Sequence, residues 1–460
     1  MVLETSTDSL MGETPRTLRH SKPKDESLFE MIRLGIVNHQ MGLSINCLLL
    51  LALTYLFFPS LRSNTSRYFV LSYKDDQTGL YKAGFDDLYF VVLWIVVFTG
   101  LRAATMDYVL MPWARNMGIK KKKHTLRFAE QSWMIIYYSV TWPAGIYLYV
   151  TSSYYGNLPA MWADYPNVHM APLMKLYYLI QFAFWIQQIV VVHIEERRKD
   201  HWQMFSHHII TCILMFASYG SYQTKVGHVI LVVMDVVDIV LPLAKNLKYA
   251  GYPIACDIMF GVFILTWFVT RHIFFPMICW SVYRDIPVVM PGGCYDPSTR
   301  MKDSTNGGNE IWRNIVHAYK GGEGPVCFNE VLRLSYLGLL LTLQLLITVW
   351  FTMICRVAYG VLSGKGAEDS RSDDEDEGDE EEEEPQPSPV RLGKRPAQTR
   401  TGSGRLPKEE EVGVEQLRFV KRTSPPARRT KARASGISIP GHTDHKELLG
   451  RIGCDKPSGS

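Results

Sequence analysis

The chain has 460 residues, 49 Lys and Arg against 45 Asp and Glu, a formal net charge of +4, and 20% charged side chains beside 47% hydrophobic ones. Charge is concentrated in residues 1–35 and 364–460, while the middle is a series of long apolar runs split by short polar loops. That segregation excludes a soluble single domain, a coiled coil, a fibrous protein and a small disulfide scaffold. No Gly-rich phosphate loop and no zinc-type Cys pattern occurs, and no nucleic-acid partner is expected.

From the N-terminus, residues 1–35 are polar and rich in Ser, Thr and charge, the composition of a disordered segment. A membrane-crossing helix needs roughly 20 mainly apolar residues, because in lipid its backbone must satisfy its own hydrogen bonds. Eight runs fit: about 41–59, 86–112, 131–151, 172–193, 203–221, 226–246, 254–279 and 334–360. The first begins too late and runs too long for a cleaved signal peptide. The third holds Pro143, tolerable inside a bundle, and the fifth and sixth are less apolar than lipid-facing helices. Basic residues set the orientation. Arg115, Lys120 to Lys123 and Arg127 precede or open span three, and Arg197, Arg198 and Lys199 join spans four and five. Both groups face the cytosol if the N-terminus does, and eight spans return the C-terminus there. On this topology the sequon Asn64-Thr65-Ser66 lies in the first lumenal loop, where Asn64 is a candidate for glycosylation. Cys294 and Cys327 lie in the long lumenal loop between spans seven and eight, an oxidising setting for a disulfide.

The tail is nearly all acidic over 368–384 and basic over 391–433, with Pro and Ser interspersed, and neither block can bury a core. Ser370 and Ser372 each have an acidic residue three positions on, the pattern acid-directed kinases prefer. Phosphate there adds charge to an already negative segment. The basic block suits the anionic headgroups of the cytosolic leaflet.

Ionisable residues inside a span are costly and by default face a cavity or a partner. Asp235 and Asp238 in span six are one turn apart, on one helical face. Two carboxylates in apolar surroundings cannot easily both ionise. His207 and His208 open span five; adjacent helical residues point about 100° apart, so the two take different roles. Thr211 shares a face with them. Span five starts near Gln203 and span six ends near Lys245, both on the cytosolic side. His207 and Asp238 then differ in depth by only about 5 Å, so a His–Asp cluster can form in the cytosolic half of the membrane. Carboxylate contact orients an imidazole and raises its basicity. Arg197, Arg198, Lys199 and Lys245 stand at the cytosolic mouth of this cluster. They serve the positive-inside bias, and they can hold the phosphates of a nucleotide-bearing substrate such as an acyl-CoA. Arg102 in span two and Arg271 in span seven are further intramembrane charges, read as facing the interior, with Arg271 nearer the lumen. Competing uses are helix locking, a transporter's proton relay and a metal site. No internal repeat supports a transporter, and one HH pair without any HxxHH box does not make a di-iron centre. No metal and no cofactor is expected.

The series Asp200 … His207-His208-Ile209-Ile210-Thr211 … Gly227 … Asp235-Val236-Val237-Asp238-Ile239-Val240-Leu241 … Lys245 resembles the Lag motif of ceramide synthases, within the TLC domain. The likeness covers roughly Lys122 to Val361 and is weaker through spans one and two. The stretch from Arg102 to Pro112, and Phe268-Val269-Thr270-Arg271 with Pro276, resemble the fungal branch. Two departures from animal members are visible: Met234-Asp235 stands where they have His-Asp, and their homeobox-like insert is missing.

This resemblance implies an all-α polytopic membrane protein in which spans three to eight form a helical barrel around an acyl-chain tunnel. The TLC domain would occupy 122–363, with the Lag motif at about 195–246, the first two spans in 36–121, and disordered cytosolic segments at 1–35 and 364–460. It implies a sphingosine N-acyltransferase of the endoplasmic reticulum, joining an acyl group from acyl-CoA to the amine of a sphingoid base. His207 would act as nucleophile or general base and His208 would orient it or share the proton. Asp235 and Asp238 would hold the imidazoles and the cationic amine. A small single-pass accessory subunit and a homodimer, or a heterodimer with a paralogue, are the implied partners. The alternative is a non-enzymatic TLC-domain protein, lipid-sensing or translocon-associated, which shares the barrel and needs no His–Asp cluster.

Overall fold

The computed structural model describes residues 35, 39–195, 199–304, 307–308 and 311–363. The principal helices are α1 (Gln40–Phe57), α2 (Arg62–Phe69), α3 (Asp87–Asn116), α4 (Lys122–Val150) and α5 (Pro172–Ile194). They continue with α6 (His201–Gly220), α7 (Thr224–Tyr249), α8 (Pro253–Val289), α9 (Ile311–Ile315) and α10 (Glu330–Leu362). Among the described residues, α1, α3, α5, α7, α8 and α10 are long and apolar enough to cross a membrane, which makes this a multi-pass membrane protein. The other two predicted spans are also long helices, α4 with 29 residues and α6 with 20. They fall short in apolarity because α4 is rich in Tyr and Trp and holds Pro143, and α6 carries the two histidines.

Two boundaries differ from the sequence reading. The helix predicted to start at 131 begins at Lys122, because Phe128 packs with Ala114, Ile119 and Tyr249 and extends the helix past the apolar run. The helix predicted to end at 279 continues to Val289. Its extension is amphipathic: Ile278, Val282 and Ile286 are buried while Trp280 and Tyr283 are exposed.

The helices pack in a definite order. α4 lies against α5 and α7, α5 against α6, α6 against α10, and α7 against the first part of α8, whose later part Phe275–Arg284 lies against α10. α3 packs on α5, and α1 packs on α3. Irregular turns bend the long helices. α3 and α8 contain π-type segments at Met106–Leu110 and Val269–Phe274, and α7 breaks at Val236, between Asp235 and Val237. Such segments recur at functional sites, where they re-aim side chains.

At one end of the helices small strands close the loops. β1 (Tyr81–Lys82) pairs antiparallel with β2 (His169–Met170). β3 (Gly293–Tyr295), β4 (Lys302–Ser304) and β5 (Val326–Phe328) form a sheet in the order β4–β3–β5. A disulfide joins Cys294 to Cys327 at a cross-strand pair of β3 and β5. In the β3–β4 turn, hydrogen bonds from Ser298 and Thr299 hold the Asp296 carboxyl down at about 2. Asn64 is exposed on α2.

A fully buried ion pair at the same end has no signature in the sequence. Lys175 at the start of α5 meets Asp87 at the start of α3 at 2.7 Å. The ammonium also donates to the carbonyls of Ser72 and Lys82, and the carboxylate accepts from Tyr219 of α6 and from the Gly84 backbone. One buried knot thus fastens α3, α5, α6 and the β1 loop.

Candidate active site

α6 places His207, part-buried, and His208, buried, a few residues from the α5–α6 turn. Trp185 of α5 stands edge-on to both rings, at 5.4 Å from each, and Trp350 of α10 stands edge-on to His207 at 5.5 Å. Two cavities meet here. One opens beside the α5–α6 turn and is lined by Glu130, Glu195, Asp200, His201 and Lys245 among others. The second extends toward the β3–β5 sheet between apolar walls that include Leu214, Ile230, Leu231, Leu340 and Phe328. Trp185, His207, Asp238 and Arg271 line both cavities and form the ring at which a polar chamber gives way to an apolar one.

The ring holds its own charge balance. Arg271 lies 3.8 Å from Asp238, donates to the Met234 carbonyl at 3.2 Å, and stacks over Trp267 with its guanidinium carbon 4.1 Å from the ring centre. Several buried polar atoms around it have no hydrogen-bond partner: His207 Nδ1, His208 Nδ1, Thr211 Oγ1, Arg271 Nε, Trp185 Nε1 and Trp350 Nε1. Buried polar groups are normally satisfied, so a concentration of free donors and acceptors at one constriction is the mark of a site built to receive polar atoms. Among the described residues no three His, Cys, Asp or Glu side chains converge as a metal ion requires.

The sequence-derived candidates separate here. His207 borders both chambers, while His208 borders the turn-side chamber and Thr211 the sheet-side one. Of the two aspartates, Asp238 lines both chambers and Asp235 lines neither. Asp235 is fully buried, and its Oδ2 accepts from Gln181 of α5 at 2.5 Å. Gln181 in turn accepts from Tyr137 at 2.7 Å and donates to Tyr177 at 3.2 Å. Arg271 lies in the middle of α8, 3.8 Å from Asp238. Arg102 does not face a cavity: it is buried and pairs with Glu195 at 2.8 Å, tying α3 to the end of α5. Lys245 lines the turn-side chamber and Lys199 lies in the adjoining turn. Arg197 and Arg198 lie outside the described residues, as do Ser370 and Ser372. Sequence reading missed Trp185, Gln181, Trp267 and Trp350. An aromatic in an apolar helix carries no signal of its own, and only the buried polar Gln181 could have been flagged.

Gly227 is explained by close approach. A Cβ at 227 would collide with the hydroxyl end of Tyr178, which is hydrogen-bonded to Ser218, and all three residues line the apolar chamber. Gly227→Ala is expected to cost about 1–3 kcal/mol through overpacking. The check is a lowered thermal inactivation temperature in membranes, with the distribution of the protein unchanged.

Comparison with known proteins follows the same lines. A family model described as TLC domain matches residues 127–356. The chain is 45% identical to the Sphingosine N-acyltransferase-like protein ALT7 of Alternaria alternata over 338 residues, 73% of this chain and 75% of that protein. It is 40% identical to the Ceramide Synthase FUM18 of Gibberella moniliformis over 321 residues, 70% of this chain and 75% of that one. It is 41% identical to Sphingosine N-acyltransferase lag1 of Schizosaccharomyces pombe over 330 residues, 71% of this chain and 78% of that one.

Proposed function

The chain belongs to the TLC-domain family of fungal ceramide synthases, and from that premise we propose that the ring of His207, Asp238 and Arg271 is where it transfers an acyl group from acyl-CoA to the amine of a sphingoid base. The observation that carries this reading is the position of His207, where a chamber edged by charged residues adjoins an apolar one. The apolar chamber suits the acyl chain. The turn-side chamber, with Lys245 on its wall and Lys199 in the turn beside it, suits the CoA end. The thioester then lies at His207.

Two routes use this imidazole. As nucleophile it takes the acyl group with loss of CoA thiolate and passes it to the amine. As general base it accepts the ammonium proton so that the amine attacks the thioester directly. In both, the C–S bond breaks and an N–C amide bond forms; of the two protons the ammonium loses, one ends on the departing CoA thiolate and the other passes by way of the imidazole to solvent. Asp238 offsets the charge on Arg271 and on the incoming ammonium. Asp235 acts one step back, through the Gln181–Tyr137–Tyr177 frame of α4 and α5.

The packing order α4–α5–α6–α10–α8–α7–α4 supports a six-helix barrel around the two chambers, with α1 and α3 outside it as the remaining two of eight spans. The basic turns then face the cytosol, together with both termini, in the endoplasmic reticulum membrane. A single-pass subunit and pairing with a second catalytic chain belong to the same reading, and co-purification from membranes tests them. A lipid-sensing protein without catalysis would not need the ring.

The test uses microsomes holding this chain and any subunit it requires, a fluorescent sphingoid base and acyl-CoAs of graded length. Amide product from the unmodified protein, and none from Asp235→Asn at equal protein level, is expected by mass spectrometry. No product at any chain length overturns the assignment. Intact mass after incubation with acyl-CoA alone separates the routes: a mass gain of one acyl group, absent in His207→Ala, marks the covalent one.

A further inference from the structure

α8 and α10 pack closely only toward the sheet end, through Phe275–Arg284. The earlier part of α8, Pro253–Phe268, packs instead on Val237–Tyr249 of α7. The seam between that part of α8 and α10 is bridged by side chains. Phe268 and Phe351 have ring centres 6.0 Å apart, and His272 lies against them at 6.0 and 4.5 Å. Behind this aromatic layer, Trp267 and Trp350 form the wall of the turn-side chamber, and Trp350 touches His207. Across the same seam Gln344 Nε2 lies 3.4 Å from His272 Nδ1. Their remaining polar atoms, His272 Nε2 and Gln344 Oε1, are buried without a hydrogen-bond partner.

A polar pair in the middle of two apolar helices is costly in lipid. Neither residue lines a chamber, so the catalytic ring does not account for it. His272 is next in sequence to Arg271, and the aromatic rings of Phe351 and Trp350, adjacent on α10, stand between the pair and His207. Such rings reorient without any helix leaving its packing.

We propose that this seam is the membrane-side port for the acceptor, a long-chain amino alcohol, and that His272 and Gln344 form a hydroxyl-binding site on its threshold. The inference rests on the N-acyltransferase reading. An acyl-CoA arrives from water and uses the turn-side mouth; the amino alcohol is dissolved in the bilayer and arrives from the side. Its tail stays in lipid between Phe268 and Phe351 while its hydroxyl groups pair with His272 Nε2 and Gln344 Oε1. Passage of the rings then brings the amine to His207.

Steady-state kinetics in microsomes test this, with each substrate varied in turn. In His272→Leu and Gln344→Leu the KM for the sphingoid base is expected to rise about tenfold, the loss of roughly one good hydrogen bond, with KM for acyl-CoA unchanged. An unchanged KM for the base, or equal rises for both substrates, overturns the port. So does loss of a co-purifying membrane subunit in these variants, which would make the seam a helix-docking face. A second arm does not depend on those residues. Phe268→Cys combined with Phe351→Cys, bridged by a cleavable thiol cross-linker, is expected to lose amide formation and regain it on cleavage. The single-cysteine proteins treated in the same way keep their untreated rates. Full activity in the bridged protein overturns the port. Absence of amide from the unmodified protein is a failure of the acyltransferase reading itself, and is seen before any variant is compared.

Discussion

His207→Ala is expected to lower amide formation by about 10³-fold or more, within the range lost when a positioned acid–base group or nucleophile is removed. The protein should still insert and purify normally, because His207 Nδ1 has no hydrogen-bond partner to lose. Truncation removes aromatic contacts with Trp185 and Trp350 but leaves no new unsatisfied partner. His208→Ala provides the contrast. His208 is buried and faces the turn-side chamber alone. Its loss should reduce the rate less and leave any acyl-enzyme signal detectable. The measurement is single-turnover product formation at matched protein levels. Retention of the normal rate in His207→Ala would remove the imidazole from the reaction.

Asp87→Ala is expected to destabilise the membrane-embedded fold by about 3–5 kcal/mol, since it strands a buried ammonium. Lys175 and Asp87 are both fully buried, and the knot they form also holds Tyr219 and the Ser72 and Lys82 carbonyls. Lys175→Met alone should cost a similar amount by stranding the carboxylate. The double variant Asp87→Leu with Lys175→Met should recover much of the loss, because replacing a buried pair with apolar groups is often close to neutral. A thermal scan of detergent-solubilised protein followed by size exclusion reads the three variants. Equal and additive losses would show that the pair contributes nothing beyond the packing of each side chain.

Much of the molecule was legible in the chain. The apolar runs located the long helices because lipid admits few other backbone solutions. The spacing of His207, His208, Asp235 and Asp238 pointed to one place because helical geometry converts residue counts into depth. Cys294 and Cys327 were the two cysteines in one long polar loop, and they are bonded across β3 and β5.

Which way each of those groups faces was decided elsewhere. Asp235 meets Gln181 of α5 while Asp238, three residues on, lines both chambers. Arg271 joins Asp238 there through contacts with α7 and Trp267. Arg102 pairs with Glu195, 93 positions away, at 2.8 Å. The tryptophans that wall the site, and the seam between α8 and α10, have no local signature. Sequence by itself determined the membrane class and the family, and it named the candidate site residues, since these depend on composition and on spacing within one element. The tertiary structure decided which of those residues share a cavity and which serve the frame, since that depends on contacts between helices far apart in the chain.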